Sequence, residues 1–379
     1  MDKKKLFIVT GELSGDKHAS LVVKNLRETN PDIEIEAIGG ENLKKLGVKL
    51  FVDHSKAHMS AMGLTPKILF DHITLGKRVV DYLKNEYKPD LVLLIDYGGF
   101  NLNISKFLKK AGIKVFYYIP PQIWASRKWR IKTVKQNISK VMTIFPFEKE
   151  MYEKEGIDAQ FVGHPLITQM PPAANRDEVF EKYGLDKNKK LISIFPGSRT
   201  FELHYLMKTF LKAAELIHQK RDDVQFVIAQ ADSLKDDVFN KFLGKTDIKV
   251  VKNDNYALLS VSDALMLASG TVALEAALYT TPMIISYKGP WFAYFVYRLV
   301  RCIDRVCLPN IIMDKDIVPE LLQPDSNPKV IAQNLLKIIE DENYRNEMVE
   351  DLSKVKEILS KHEAAKEVAQ ILAKELEQQ

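Results

Sequence analysis

Asp96 closes the apolar run Leu91–Ile95. A carboxylate at the end of a buried run is costly unless it faces a cleft or gains partners. Partial burial raises the pKa of such a group towards the range useful to a general base. A solvated turn aspartate explains the residue equally well. The turn from Gly11 to Asp16 follows the first apolar run and offers Glu12, Asp16 and Ser14. It could bind a polar substrate, or it could simply cap the helix that follows.

A third stretch runs from Leu191 to Glu202. Leu191 to Phe195 reads as a buried strand, and Pro196, Gly197 and Ser198 break it. Leu203, Leu206, Phe210, Ala213 and Leu216 then recur at helical spacing. A strand that ends in a Gly-Ser turn and opens a helix makes a seat for an anion, because the first N–H groups of a helix lack internal partners. Arg199 adds a planar fork of charge suited to phosphate. The same residues also fit an ordinary turn with Ser198 as cap and Arg199 in solvent. Ala268 to Glu275 repeats the device, with Ser269, Gly270 and Thr271 between strand and helix.

Other candidates are weaker. His164 precedes a proline and reads as a structural hydrogen-bonding group. Asp314-Lys315-Asp316 has the Asp-x-Asp form of metal-dependent sugar transfer, but this pattern arises readily by chance and no metal is assigned to it. No Gly-x-Gly-x-x-Gly follows the first strand and there is no Walker loop, so neither a dinucleotide nor a P-loop site is supported. Gln122 to Phe147 contains no acidic residue and interleaves Trp124 and Trp129 with basic side chains. That composition suits nucleic acid, a phosphate-bearing substrate or a membrane face. From Pro290 to Arg305, one helical side carries Phe292, Phe295, Val296 and Leu299. The other carries Trp291, Arg298, Arg301 and Arg305. This is the form of a membrane-surface helix, and also of a core helix with a solvated basic side. The apolar loop around Met62 points the same way as the lipid reading.

Strands alternating with helices position these groups. The pattern runs from Leu6 to Val162, pauses over a proline-rich and charged connector, and restarts at Leu191. Such alternation gives parallel α/β sheets, whose ligands lie beyond the carboxyl ends of the strands. The expectation is two Rossmann-like domains facing across a cleft. The first spans 1–168 and the second 169–340. A helical tail, 341–379, packs back on the first domain or exchanges with a second copy to form a homodimer.

Composition supports a folded chain of about two domains. The 379 residues are 46% hydrophobic and 28% charged, with a net charge of +5. The charge is uneven: the segment from Asp341 onward carries −4 and the rest +9. A basic body suits phosphates or an anionic surface. The two cysteines, Cys302 and Cys307, are too few for a disulfide framework and fit a reducing cytosol. The apolar run after Lys5 ends too soon for a signal peptide, and no uncharged stretch reaches the length of a membrane span.

Taken in order, these stretches resemble the lipid-A-disaccharide synthases, glycosyltransferases of the GT-B type. The resemblance rests on Gly11 to Asp16, Met62-Gly63, Asp96 with Phe100-Asn101, and Tyr118 to Ala125. It continues through Phe145 to Glu148, Gly163 to Pro165, Pro196 to Arg199 with Glu202, Ala268 to Thr271 with Glu275, and Leu308 to Asn310. It implies transfer of 2,3-diacylglucosamine from UDP to 2,3-diacylglucosamine 1-phosphate, forming a β-1,6 disaccharide with inversion. It implies no metal or other cofactor, no nucleic acid, and a peripheral location at the cytoplasmic face of the inner membrane. Asp96 would be the base and Arg199 the pyrophosphate contact. Ser269, Gly270 and Thr271 would hold the diphosphate, Glu275 the ribose, and Ser198 would also bind UDP. Glu12, Ser14 and Asn310 match functional positions without a defined role. Met62, Trp291, Arg298, Arg301 and Arg305 are the expected lipid contacts. Many members of the family carry Pro-Asp where this chain has Gly98-Gly99, so a second carboxylate near Asp96 is missing. A UDP-N-acetylglucosamine 2-epimerase or a non-catalytic nucleotide-sugar binder on the same fold is the alternative.

Overall fold

The computed structural model describes residues 3–54, 66–125, 128–292, 294 and 304–378. The chain forms two compact units, Met1–Pro165 with Leu359–Gln379, and Leu166–Ile358.

In the first unit, seven strands form one sheet: β1 Lys5–Val9, β2 Glu34–Gly39, β3 Lys49–Asp53, β4 Leu91–Ile95, β5 Val115–Tyr118, β6 Lys140–Thr143 and β7 Ala159–Phe161. All neighbours pair in parallel, in the order β3-β2-β1-β4-β5-β6-β7. Parallel sheets are covered on both faces, which is why β4 is the unbroken run Leu-Val-Leu-Leu-Ile with every residue buried. The helix Leu13–Thr29 turns Ala19, Val22, Val23 and Leu26 inward at helical spacing. The last helix, Ala364–Glu377, packs against it through a stripe that includes Val368, Leu372 and Leu376. Each fully buried aliphatic side chain in such a seam contributes about 1.5–3 kcal/mol.

The second unit repeats the plan with β8 Lys190–Phe195, β9 Val224–Gln230, β10 Lys249–Lys252, β11 Ala264–Ala268, β12 Met283–Tyr287 and β13 Glu320–Leu322. They too are parallel, in the order β10-β9-β8-β11-β12-β13. The sequence reads as almost wholly helical from Lys315 onward, and the three-residue strand β13 is the part that this reading passes over. Three residues are too short to show an alternating pattern, and this strand exists because β12 offers it an open edge. The helix Glu342–Leu359 lies mostly within the second unit. It buries Leu352 and Val355 and is tied there by Lys315, 2.7 Å from Asp351 and 3.4 Å from Glu347. Of the C-terminal segment, Leu359–Gln379 belongs to the first unit.

Each sheet reverses its strand order at one place, between β1 and β4 in the first and between β8 and β11 in the second. At these switch points the connections leave to opposite sides and open a crevice at the carboxyl ends. Glu12 follows β1, and Asp96 follows β4. Arg199 follows β8, and Ser269 follows β11.

Candidate functional site

The site in the first unit is built on strained backbone. Asp96 and Tyr97 are successive non-glycine residues at φ 50° and 49°. Such conformations cost on the order of 1–3 kcal/mol each and persist only where their surroundings enforce them. Here the Asp96 carbonyl accepts hydrogen bonds from Asn101 Nδ2 at 2.8 Å and Tyr117 Oη at 2.7 Å. The Asp96 N–H donates to the Tyr118 carbonyl at 3.1 Å. The half-buried Asp96 carboxyl is held above its ordinary pKa by burial, which a hydrogen bond from the Tyr97 backbone partly offsets. Glu12, more exposed, is also shifted upward, first by burial and then by the Asp96 charge, against a lowering influence of His54. A half-buried carboxyl whose charge raises the pKa of a neighbour marks a place where a proton can be taken up.

The rest of the Gly11–Asp16 turn is structural on one side. Asp16 is fully buried and accepts from the backbone of Gly40 at 2.7 Å and Asn42 at 2.8 Å, capping the helix Glu41–Lys45. Ser14 is exposed on the first turn of its helix. His164 is buried and pushed down to about 3 by burial and by His18, so it is a neutral structural ring at neutral pH. Trp124 is also taken into the fold, where its indole N–H donates to Glu148 at 2.9 Å. Trp129 stays 67% exposed.

In the second unit, the two strand-to-helix turns line one cavity of about 380 Å³. Ser198 and Arg199 come from one turn, Ser269, Gly270 and Thr271 from the other, with Glu275 and Asn255 on the wall. The Arg199 turn differs from the expected open anion seat. Gly197, at φ +120°, leaves no room for a Cβ, which would lie 2.3 Å from Glu202 Oε2. That oxygen accepts the N–H groups of Ser198 at 2.7 Å and Arg199 at 3.2 Å. The helix N-cap is Arg199 rather than Ser198, closed by a carboxylate from three residues on. Among the described residues the Arg199 guanidinium has a 3.8 Å ion pair to Glu202, and it is 65% exposed. Glu275 is half-buried, shifted upward by burial and eased by Tyr256, whose hydroxyl lies 3.5 Å away.

Sequence reading missed Asn255. Its Oδ1 is buried without a hydrogen-bond partner and the residue lines the same cavity. An orphaned acceptor of this kind is costly unless a ligand satisfies it. No motif around Asp254-Asn255-Tyr256 signals it.

Asn310 is fully buried. Its amide donates to the Val318 carbonyl and Glu320, and accepts from the backbone of Ile317 and Val318, all at 2.8–3.0 Å. The side chain thus organises the approach to β13. Arg305 pairs with Asp314 at 2.6 Å and Asp316 at 2.7 Å, so the Asp-x-Asp pattern is engaged by a guanidinium. Trp291 is 66% exposed and Phe292 79%. Met62, Arg298 and Arg301 lie outside the described residues.

Two doubly wound parallel units with functional turns at their switch points define the GT-B class of nucleotide-sugar enzymes. The chain belongs to the lipid-A-disaccharide synthetase family, whose model matches residues 6–374. It is 34% identical over 375 residues to the lipid-A-disaccharide synthase of Coxiella burnetii (strain CbuG_Q212), covering 98% of each chain. It is 36% identical over 374 residues to that of Syntrophus aciditrophicus, covering 97% of each. Among solved structures, it is similar in fold to a UDP-GlcNAc 2-epimerase from Neisseria meningitidis bound to UDP-GlcNAc, with a TM-score of 0.61 and 14% identity over 99% of this chain and 100% of that one. The expected family and fold class are thereby borne out.

Proposed function

We propose that this glycosyltransferase of lipid A synthesis transfers a 2,3-diacylglucosaminyl group from UDP to the 6-hydroxyl of 2,3-diacylglucosamine 1-phosphate. Asp96 takes the hydroxyl proton as the acceptor oxygen attacks the anomeric carbon. The bond from that carbon to the β-phosphate oxygen breaks, and UDP leaves with the electron pair. One displacement inverts the anomeric centre. Arg199 and the Ser269–Thr271 turn offset the charge that develops on UDP, and Glu275 and Asn255 hold its ribose and base. Glu12, whose own carboxyl is raised by the Asp96 charge, stands in for the carboxylate that Gly99 lacks.

The observation that carries the assignment is Asp96 itself: a half-buried carboxyl with a raised pKa, on enforced backbone at a switch point. Membership in the family favours this reaction over epimerisation on the same fold. Trp291 and Phe292 are proposed to meet the lipid surface that supplies both substrates. Met62, Arg298 and Arg301 join them in this reading, while Arg305 reaches it only by giving up Asp314 and Asp316.

The test is UDP release from UDP-2,3-diacylglucosamine with and without acceptor, for wild type and Asp96→Ala, in detergent with a chelator. Acceptor-dependent release that falls by ~10²-fold or more in the variant supports the reaction and its base. Release that ignores the acceptor in wild type overturns the transferase reading, and full activity in the variant moves the base elsewhere.

A further inference from the structure

We propose that Tyr97 is a positioning residue: braced between Gly11 and His72, it holds the Asp96 carboxylate in its working direction. The inference rests on the reading of Asp96 as the base. It starts from a conformational problem. Two successive non-glycine residues in the left-handed region have no intrinsic tendency to stay there. Asn101 and Tyr117 fix the carbonyl of Asp96, which secures one end of the peptide. The other end is Tyr97, and the direction of the Asp96 side chain follows the backbone that the two residues share.

The Tyr97 ring is held on two sides. Towards the first turn it lies directly over Gly11, where an added Cβ would stand 2.1 Å from Tyr97 Cγ. Glycine in the turn that carries Glu12 is therefore what admits the ring. On the other side, Tyr97 Oη and His72 Nε2 share a hydrogen bond of 2.8 Å. His72 belongs to the helix Pro66–Tyr82. The two rings meet edge to face with centroids 5.8 Å apart, and Phe100 packs on both at 5.8 and 5.7 Å. Burial and the charge of Glu12 push the Tyr97 hydroxyl up to about 12, so it stays protonated. Burial lowers His72 against the opposing effect of Asp71, which favours the neutral ring. A neutral imidazole with its proton on Nδ1 accepts from the Tyr97 O–H at Nε2. The brace thus joins three elements: the turn after β1, the turn after β4, and the helix that bears His72.

The experiment compares Tyr97→Phe, His72→Leu and His72→Gln with wild type in acceptor-dependent UDP release across pH, alongside UDP binding and thermal midpoints. Tyr97→Phe keeps the ring over Gly11 and loses only the tether. His72→Gln keeps an acceptor for the hydroxyl, and His72→Leu removes it. The expected result is a drop in kcat of roughly 10-fold or more for Tyr97→Phe and His72→Leu, with a displaced acid limb of the pH profile, since small misplacements of a catalytic group are costly. UDP affinity is expected to stay unchanged, and His72→Gln to recover most of kcat. In an Asp96→Asn background, Tyr97→Phe should add nothing further. Wild-type kcat and an unmoved acid limb in Tyr97→Phe and His72→Leu would overturn the proposal, as would a His72→Gln no better than His72→Leu. Asp96→Asn separates the two readings. If it is active, the base assignment fails. If it is inactive while the Tyr97 and His72 variants behave as wild type, only the brace fails.

Discussion

The carboxylate of Glu202 accepts the backbone N–H of Ser198 at 2.7 Å, so the amide nest that opens the helix Thr200–His218 already holds an anion of its own. This changes how the turn can serve a diphosphate. The Ser198 and Arg199 N–H groups are committed to the cap, and in the proposed reading recognition falls to the Arg199 side chain and to the second turn. A negative charge fixed beside the cavity also opposes the ligand's own charge.

Glu202→Gln retains an oxygen for the two N–H groups and removes that charge. The expected result is UDP binding that is at least as tight as wild type at low salt, with the difference shrinking as salt rises. Glu202→Ala loses the cap as well, and its stability should fall by about 0.5–2 kcal/mol. Isothermal titration and denaturant unfolding check both. Weaker UDP binding by the Gln variant would show that Glu202 contacts the ligand instead.

Arg199 and Asn255 should weaken UDP binding for different reasons. Removing the exposed guanidinium deletes charge-assisted hydrogen bonds worth ~1.5–3 kcal/mol, an expected loss of roughly 10- to 150-fold for Arg199→Ala, easing at high salt. Asn255→Leu removes a buried acceptor that has no partner in the protein. It should leave stability unchanged or improved while weakening UDP, with little dependence on salt. If Asn255→Leu unfolds the protein and leaves UDP affinity intact, the orphaned oxygen serves the fold.

The doubly wound architecture was legible because each buried parallel strand is a near-continuous apolar run closed by turn residues, as in Leu91–Ile95 and Leu191 to Phe195. Asp96 stood out for the same reason, as a charge at the end of such a run. What stayed hidden depends on contacts remote in sequence. Strand β13 forms by pairing with an edge 35 residues back in the chain, as Ile285 opposite Glu320 shows. The left-handed backbone at Asp96 and Tyr97 is imposed by Asn101, Tyr117 and the ring over Gly11, and neither residue type announces it. Ser198 read as the cap because serine is a common one. Arg199 takes the position because Glu202 supplies the acceptor, which a search for Ser, Thr, Asp or Asn at the N-cap overlooks.

Glu148 provides a pH test that does not depend on substrate. Its side chain is buried and accepts the Trp124 N–H, with backbone hydrogen bonds from Phe145 and Ile144 working in the same direction. Burial outweighs them and pushes the carboxyl up from 4.5 to about 7. The folded protein therefore binds this proton more tightly than the unfolded chain. Glu148 contributes stability that is fully present below pH 4.5 and lost as pH rises through about 7. The loss is on the order of 3 kcal/mol, taking ~1.4 kcal/mol for each pH unit between the two values. Glu148→Gln cannot titrate, so its unfolding free energy should lack this decline between pH 4.5 and about 7, the window set by the same shift. Equilibrium denaturation of both proteins across that range checks the prediction. Parallel pH profiles for wild type and Glu148→Gln would mean that the carboxyl is ionised throughout, with its charge carried by the Trp124 and backbone donors.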